Sequence, residues 1–106
     1  MTQTELSKLV GPIVRGVDQE IVEALLEAIE KDNPDTEIFY EDHGGYVRIH
    51  TYKRCRVTRT SLQEALQRPF KLSHLELALA SFAGRMKYIS DEELIWYLER
   101  ENETWL

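Results

Sequence analysis

The alternation that runs from Tyr46 to Arg59 constrains the fold of this chain more than any other feature. Val47 and Ile49 fall on one side of an extended backbone, and Tyr46, Arg48, His50 and Tyr52 on the other. After Arg54 the pattern repeats, with Cys55 and Val57 turned inward. A period of two with one apolar face predicts antiparallel strands, packed on one side and wet on the other. Read as a continuous meander, the two runs share a sheet. His50 then sits on its exposed face, beside Arg48 and Tyr52.

Helical signals flank these strands. Asp18 is a good N-cap, and Glu20 suits the positive end of the helix that follows. Ile21, Leu25, Ala28 and Ile29 form one apolar stripe, widened by Val22 and Leu26, and Glu27 stands four residues before Lys31. Asn33-Pro34 ends this helix, because proline disfavours a helical residue before it. Gly11 to Arg15 reads as a strand that tolerates Pro12 at its beginning. Thr36 to Glu41 reads as another, with Ile38 and Tyr40 on one face and Phe39 on the other. Asp42 to Gly45 is a turn between strands. Thr60 or Ser61 caps a short helix that stops before Pro69.

From Ser73 the periods mix. Ser73 and Glu76 make a capping box, yet Leu75, Leu77 and Leu79 alternate with Glu76, Ala78 and Ala80. Ala80-Ser81-Phe82-Ala83-Gly84 has almost no polar reach, so it is either buried or pressed flat against another protein. Met86 to Ile89 reads as a strand. Leu94 to Leu98 is ambiguous: Ser90 and Glu93 make a second capping box, but Ile95-Trp96-Tyr97 favours a strand. Residues Met1 to Leu9 are expected to be a mobile arm, and Thr104 to Leu106 a frayed tail. The fold class expected is α+β, with two or three helices packed on antiparallel strands in one or two small sheets.

A chain of 106 residues fits one compact domain spanning 1–106. No apolar run approaches the ~20 residues of a membrane span. There is no basic segment followed by an apolar one at the N-terminus, and one cysteine makes no internal disulfide. The cytoplasm is the expected compartment. The formal net charge of −6 repels nucleic acid and anionic membranes at long range. Lys53, Arg54, Arg56 and Arg59 run against that balance. With Tyr46 and Tyr52 nearby they admit an RNA-binding sheet, but a solvated face offsetting acidic neighbours fits the overall field better.

Catalytic constellations are hard to assemble. His43, His50 and His74 fall on a turn, a strand and a helix without metal-ligand spacing. His43 beside Glu41 and Asp42 reads as a solvated turn. Cys55 has cationic neighbours, but strand parity sends Arg54 and Arg56 to the opposite face, which leaves a small inward hydrophobe. No glycine pattern cradles a phosphate. No cofactor or metal is expected, and a binding or regulatory part is expected rather than an enzyme. A small ligand-binding regulatory domain, with an apolar pocket between helix and sheet, stays open as the alternative, alongside the nucleic-acid module.

Val10 to Arg15, Asp32-Asn33-Pro34, Tyr46 to Ile49 and Arg68 to Arg85 occur in an order and spacing that resembles a known family. That family is the effector, or coupling, proteins of bacterial soluble diiron monooxygenases, in the toluene and alkene branch. The resemblance runs from about Val10 to Leu98, and it tips Leu94 to Leu98 toward a strand. It implies a cofactor-free protein, monomeric when free, that binds a separate diiron hydroxylase over the helices supplying its iron ligands. It also implies that the complex oxidises an aromatic hydrocarbon or small alkene, and that electrons arrive from a reductase through a Rieske-type ferredoxin sharing the hydroxylase surface. By motif position, Ala80, Ser81, Phe82, Ala83 and Gly84 face the hydroxylase, with Ser81 their only hydroxyl. Asn33 and Pro34 match a helix-ending motif of that branch, which stopping the helix also explains. Arg68-Pro69-Phe70 recurs there too, which makes Arg68, like Asn33 and Pro34, a candidate contact with the partner; a rigid corner with Phe70 buried and Arg68 at the surface is the plainer account of the motif. An N-terminal arm through Leu9 can order against a partner, as disordered segments often do on binding, and the sequence leaves open whether it does.

Overall fold

Seven strands divide into two antiparallel sheets in the computed structural model, which describes residues 7–98. The strands are β1 (Leu9–Arg15), β2 (Phe39–Asp42), β3 (Tyr46–Tyr52), β4 (Arg54–Thr58), β5 (Leu79–Ala83), β6 (Arg85–Ser90) and β7 (Glu93–Tyr97). The helices are α1 (Gln19–Asp32), α2 (Arg59–Leu66) and the single turn α3 (Leu72–Leu75), which runs into a 3-10 turn at Glu76–Ala78. The first sheet has the order β2-β3-β1-β5 and the second β4-β7-β6. The α+β class with two small sheets is as expected. The expected tail lies outside the described residues and the expected arm partly so: Leu9 already belongs to β1, while 1–6 and 99–106 are not described.

The continuous meander does not form. β3 and β4 are separated by one residue, Lys53, and belong to different sheets. Lys53 has φ 68, in the left-handed region, and its N–H bonds the Lys8 carbonyl at 2.7 Å. A left-handed residue between two extended runs swings the second run out of the plane of the first. The same device recurs at Gly84, φ 88, between β5 and β6. Each sheet therefore has a central strand, β1 or β7, flanked by two strands that cross over to flank the other.

The core fills the space between sheets and helices. Val10, Val14, Val47 and Ile49 enter from the first sheet, and Cys55, Val57, Leu94 and Trp96 from the second. Helix α1 contributes Val22, Leu25, Ala28 and Ile29, while Ile21 and Leu26 stay half-buried at the margin. Leu62 of α2 and Leu72 and Leu75 of α3 close one end. The strand at Glu93–Tyr97 is confirmed, because Leu94 and Trp96 occupy this core at strand spacing.

Several expected caps are displaced. Asp18 stands at the N-cap of α1 but makes no side-chain cap; its carboxylate takes Arg15 at 3.1 Å instead. Helix α2 starts at Arg59 because the Thr58 hydroxyl, not Thr60 or Ser61, accepts the Ser61 N–H at 3.2 Å. Ser73 caps nothing, since it lies inside α3. There Leu72, Leu75 and Ala78 are buried at spacing three, which suits the tighter turn that follows. Lys31 reaches across to Glu64 on α2. Phe70 is half-buried and closes its corner through Gln63 and Arg59, which bond its N–H and carbonyl at 2.9 and 3.1 Å.

Gly84 has no room for a side chain: a Cβ there would stand 2.7 Å from both the Tyr97 carbonyl oxygen and Val10 Cγ1. Gly84→Ala is therefore expected to lose at least about 2 kcal/mol in urea unfolding, from the left-handed backbone and the clash together. Lys53→Gly should stay within about 0.5 kcal/mol, because relief of strain offsets added chain entropy. Equal effects at the two sites would contradict this account of the crossings.

Candidate functional site

Ala80 to Ala83 form most of β5, an outer strand of the first sheet, and Gly84 follows its end. Its pairing with β1 slips by one residue: Ser81 stands opposite Ile13 but Leu79 opposite Val14, which leaves Ala80 as a bulge. Ala80, Ser81, Phe82 and Gly84 are exposed, and Ala83 is half-buried. Phe82 shares the parity of Pro12 yet keeps 38% of its surface, because β5 lies at the sheet's edge. Of the seven large apolar side chains exposed among the described residues, four (Leu77, Phe82, Tyr88 and Ile89) lie between Leu77 and Ile89. A shallow pocket of about 190 Å³ sits beside them, lined by Glu76, Leu79, Ala80, Ser81, Phe82 and Met86. The Tyr88 hydroxyl donates to the Glu76 carboxylate, which ties β6 to the 3-10 turn. Partial burial, with the carboxylate beside it, raises the Tyr88 pKa. The result is a small-residue strand flanked by apolar groups, suited to close approach by a partner.

The other expected contact residues do not join this patch. Asn33 is half-buried, and its side chain behaves like a piece of neighbouring strand. Its Nδ2 donates to the Arg56 carbonyl at 2.7 Å, and its Oδ1 accepts the Arg56 N–H at 3.1 Å, along the outer edge of β4. Nδ2 also donates to the Ile29 carbonyl at 2.7 Å. Pro34 beside it is exposed. Arg68 is exposed and pairs with Glu20 at 2.7 Å. Glu20 and Asn33 lie at opposite ends of α1, about 20 Å apart at 1.5 Å per residue.

Asp32 is the residue that sequence reasoning missed. Its carboxylate accepts the Thr58 N–H at 2.8 Å, the Thr58 hydroxyl at 3.0 Å and the Ser61 hydroxyl at 2.7 Å. An acid in the last turn of a helix opposes the macrodipole, and that anomaly was the available signal. Asp32 and Asn33 together fasten the end of α1 to β4 and to the start of α2.

The basic cluster is divided by the crossing at Lys53. Tyr46, Arg48 and Tyr52 lie on the first sheet, and Arg54 and Arg56 on the second. Arg56 meets Glu93 at 2.5 Å, Arg59 meets Glu92 at 3.1 Å, and Arg48 approaches Glu41 at 3.9 Å. These cations offset acidic neighbours, and no single RNA-binding face assembles from them. Cys55 is buried, and burial pushes its thiol up to about 12, so no thiolate forms near neutrality. His43 stays on its exposed turn, 3.1 Å from Glu41 and stacked on Tyr46.

His50 corrects the expected picture of an exposed strand face. It is only 5% exposed, because Gly11 on the neighbouring strand has no side chain and the imidazole packs across it. A Cβ on Gly11 would stand 3.1 Å from His50 Cδ2 and 2.3 Å from the Ile49 carbonyl oxygen. Burial, with Arg48 adding to it, lowers the His50 pKa to about 4.

The MmoB/DmpM family profile matches residues 8–97, so the chain belongs to the MmoB/DmpM family. The chain is 45% identical over 89 residues to the effector subunit of an alkene monooxygenase system from Xanthobacter autotrophicus, covering 84% of this chain and 85% of that protein. Its fold matches a chain in the structure of the phenol hydroxylase–regulatory protein complex, with a TM-score of 0.68 and 26% identity over 86% of this chain and 99% of that one. It also matches the regulatory protein B of soluble methane monooxygenase, with a TM-score of 0.67 and 20% identity over 92% and 70% of the two chains. That last likeness concerns the fold.

Asn33→Ala removes three hydrogen bonds and is expected to lower unfolding free energy by about 1–3 kcal/mol; an unchanged urea midpoint would leave the side chain with no structural role. His50 predicts a pH effect of definite sign. Its folded pKa lies below the unfolded value near 6.5, so its stabilisation is complete above that value and is lost as pH falls toward 4. Between pH 7 and 5 the native protein should lose about 2 kcal/mol that His50→Phe does not lose. Parallel pH profiles for the two proteins would contradict the buried neutral ring.

Proposed function

We propose that this chain is the effector component of a multicomponent diiron monooxygenase, a regulatory part that performs no oxidation itself. Its likeness across most of its length to an alkene monooxygenase effector subunit is the observation that carries this reading. The chain docks on the hydroxylase and favours the hydroxylase state that it binds more tightly, which is a population shift. A coupling of about 1–3 kcal/mol changes affinities about 5–150-fold. Effector binding thereby tunes oxygen activation, substrate access and the coupling of electron transfer to epoxidation or hydroxylation.

The docking segment in this reading is Ala80, Ser81, Phe82, Ala83 and Gly84. The small side chains admit a helical surface close to the strand, and Phe82 is the anchor that fills a pocket. Pro34 and Arg68 are exposed and make outlying contacts; Asn33 acts through the loop it holds. The substrate is a small alkene or an aromatic hydrocarbon. A Rieske-type ferredoxin and its reductase supply electrons over an overlapping hydroxylase surface, in the cytoplasm, and the free effector is a monomer.

Titrating the purified chain into its hydroxylase and electron-transfer partners should raise product formed per reducing equivalent to a plateau. Phe82→Ala should weaken the apparent affinity about tenfold or more while stability stays within about 1 kcal/mol, as for a hot spot on a half-exposed residue. A flat titration, or substrate oxidation by the chain alone, would overturn the assignment.

A further inference from the structure

The two outer strands joined at Gly84, β5 of the first sheet and β6 of the second, are both broken by a bulge. Ala80 is the extra residue in β5. In β6, Tyr88 stands opposite Leu94 but Ser90 opposite Glu93, which leaves Ile89 over. A bulge interrupts the row of backbone donors and acceptors, so neither edge offers a clean register to an added strand. A partner on these edges meets side chains instead.

Those side chains are apolar, and their supports are fixed to one another. Leu77 keeps 77% of its surface and Ile89 48%. Single exposed apolar residues are ordinary, but Leu77, Phe82, Tyr88 and Ile89 stand on elements that are tied together. The Tyr88 hydroxyl donates to Glu76, the residue before Leu77. The depression of about 190 Å³ takes its walls from Glu76 of the 3-10 turn, Phe82 of β5 and Met86 of β6, so both edges share it. Leu75 and Ala78, before and after Leu77, are buried, which roots its backbone in the core while its side chain stays out. A side chain presented on a fixed support loses little freedom on binding.

We propose that the hydroxylase-docking face crosses from the first sheet to the second, with Leu77 and Ile89 as anchors beside Phe82. It is received by an apolar cleft between helices of the hydroxylase, and not by strand addition. This rests on the effector reading and extends its docking segment beyond Gly84, onto β6 and back to the 3-10 turn. The occupant is the same partner, because the shared depression makes the two parts one continuous surface.

The test titrates variants of the full chain into the hydroxylase and its electron-transfer partners, reading product per reducing equivalent. Leu77→Gln and Ile89→Thr should each raise the effector concentration at half-maximal stimulation about fivefold or more, with the urea midpoint unchanged. The control is Tyr40, 45% exposed on β2 at the opposite end of the first sheet, three strand spacings or about 14 Å from β5. Tyr40→Gln should stay within about twofold of the native chain. The proposal falls if either Leu77→Gln or Ile89→Thr keeps the native half-maximum, or if Tyr40→Gln raises it as much. It also falls if the native chain sediments as a dimer that Leu77→Gln dissociates, since a second copy then covers the face. Native behaviour of both variants while Phe82→Ala weakens docking leaves the effector reading intact; a flat titration of the native chain removes both.

Discussion

The close contact among Gly84, Val10 and the Tyr97 carbonyl is the constraint on which the architecture rests. Strands β1 and β7 are the centres of the two sheets, and Gly84 passes between them where no Cβ fits. A chain that must cross there has one compatible residue type, because the position is both crowded and left-handed. The crossing at Lys53 is conformationally similar, and its N–H takes the carbonyl of Lys8. The two crossings make the sheets interdependent, since every strand that flanks one centre continues into a strand that flanks the other. The segment from Ala80 to Gly84 ends at this junction, so its backbone is held at one end by the core itself.

Around that frame, the outer strands are treated differently. The outer edge of β4 is met by the Asn33 amide, which supplies the donor and acceptor that another strand would supply. Asp32 next to it collects the Thr58 and Ser61 donors, so the end of α1, β4 and the start of α2 form one polar joint. The edge at β5 has a bulge, small side chains and an apolar margin instead. One edge is closed by the protein's own side chain, and the other is interrupted by a bulge. Elsewhere Arg56 and Arg59 are paired with Glu93 and Glu92, which offsets their charge.

Much of the fold was legible because local pattern and tertiary packing agree over long stretches. The helical stripe on α1, the alternation in β3 and β4, and the turn at Asp42–Gly45 each follow from spacing alone. Family likeness added the segment from Ala80 to Gly84, whose composition by itself allowed either burial or contact. What was misread depended on single residues. A period of two continues across Lys53, so nothing in the alternation marks a change of sheet. The exposure of His50 was set by the lack of a side chain on Gly11, a residue 39 positions away. Caps shifted because Arg15, three residues away, takes the Asp18 carboxylate, and because Thr58 already accepts the Ser61 N–H.

The sequence by itself therefore determined which faces are apolar, where helices stop, and that no catalytic constellation is spelled out, because these properties depend on neighbours within a few residues. Only the tertiary structure decided which strands share a sheet, that Asn33 completes an edge, and that the His50 imidazole is buried across Gly11. Those outcomes arise from contacts between segments far apart in the chain, where one missing Cβ or one side-chain amide changes what can lie beside it.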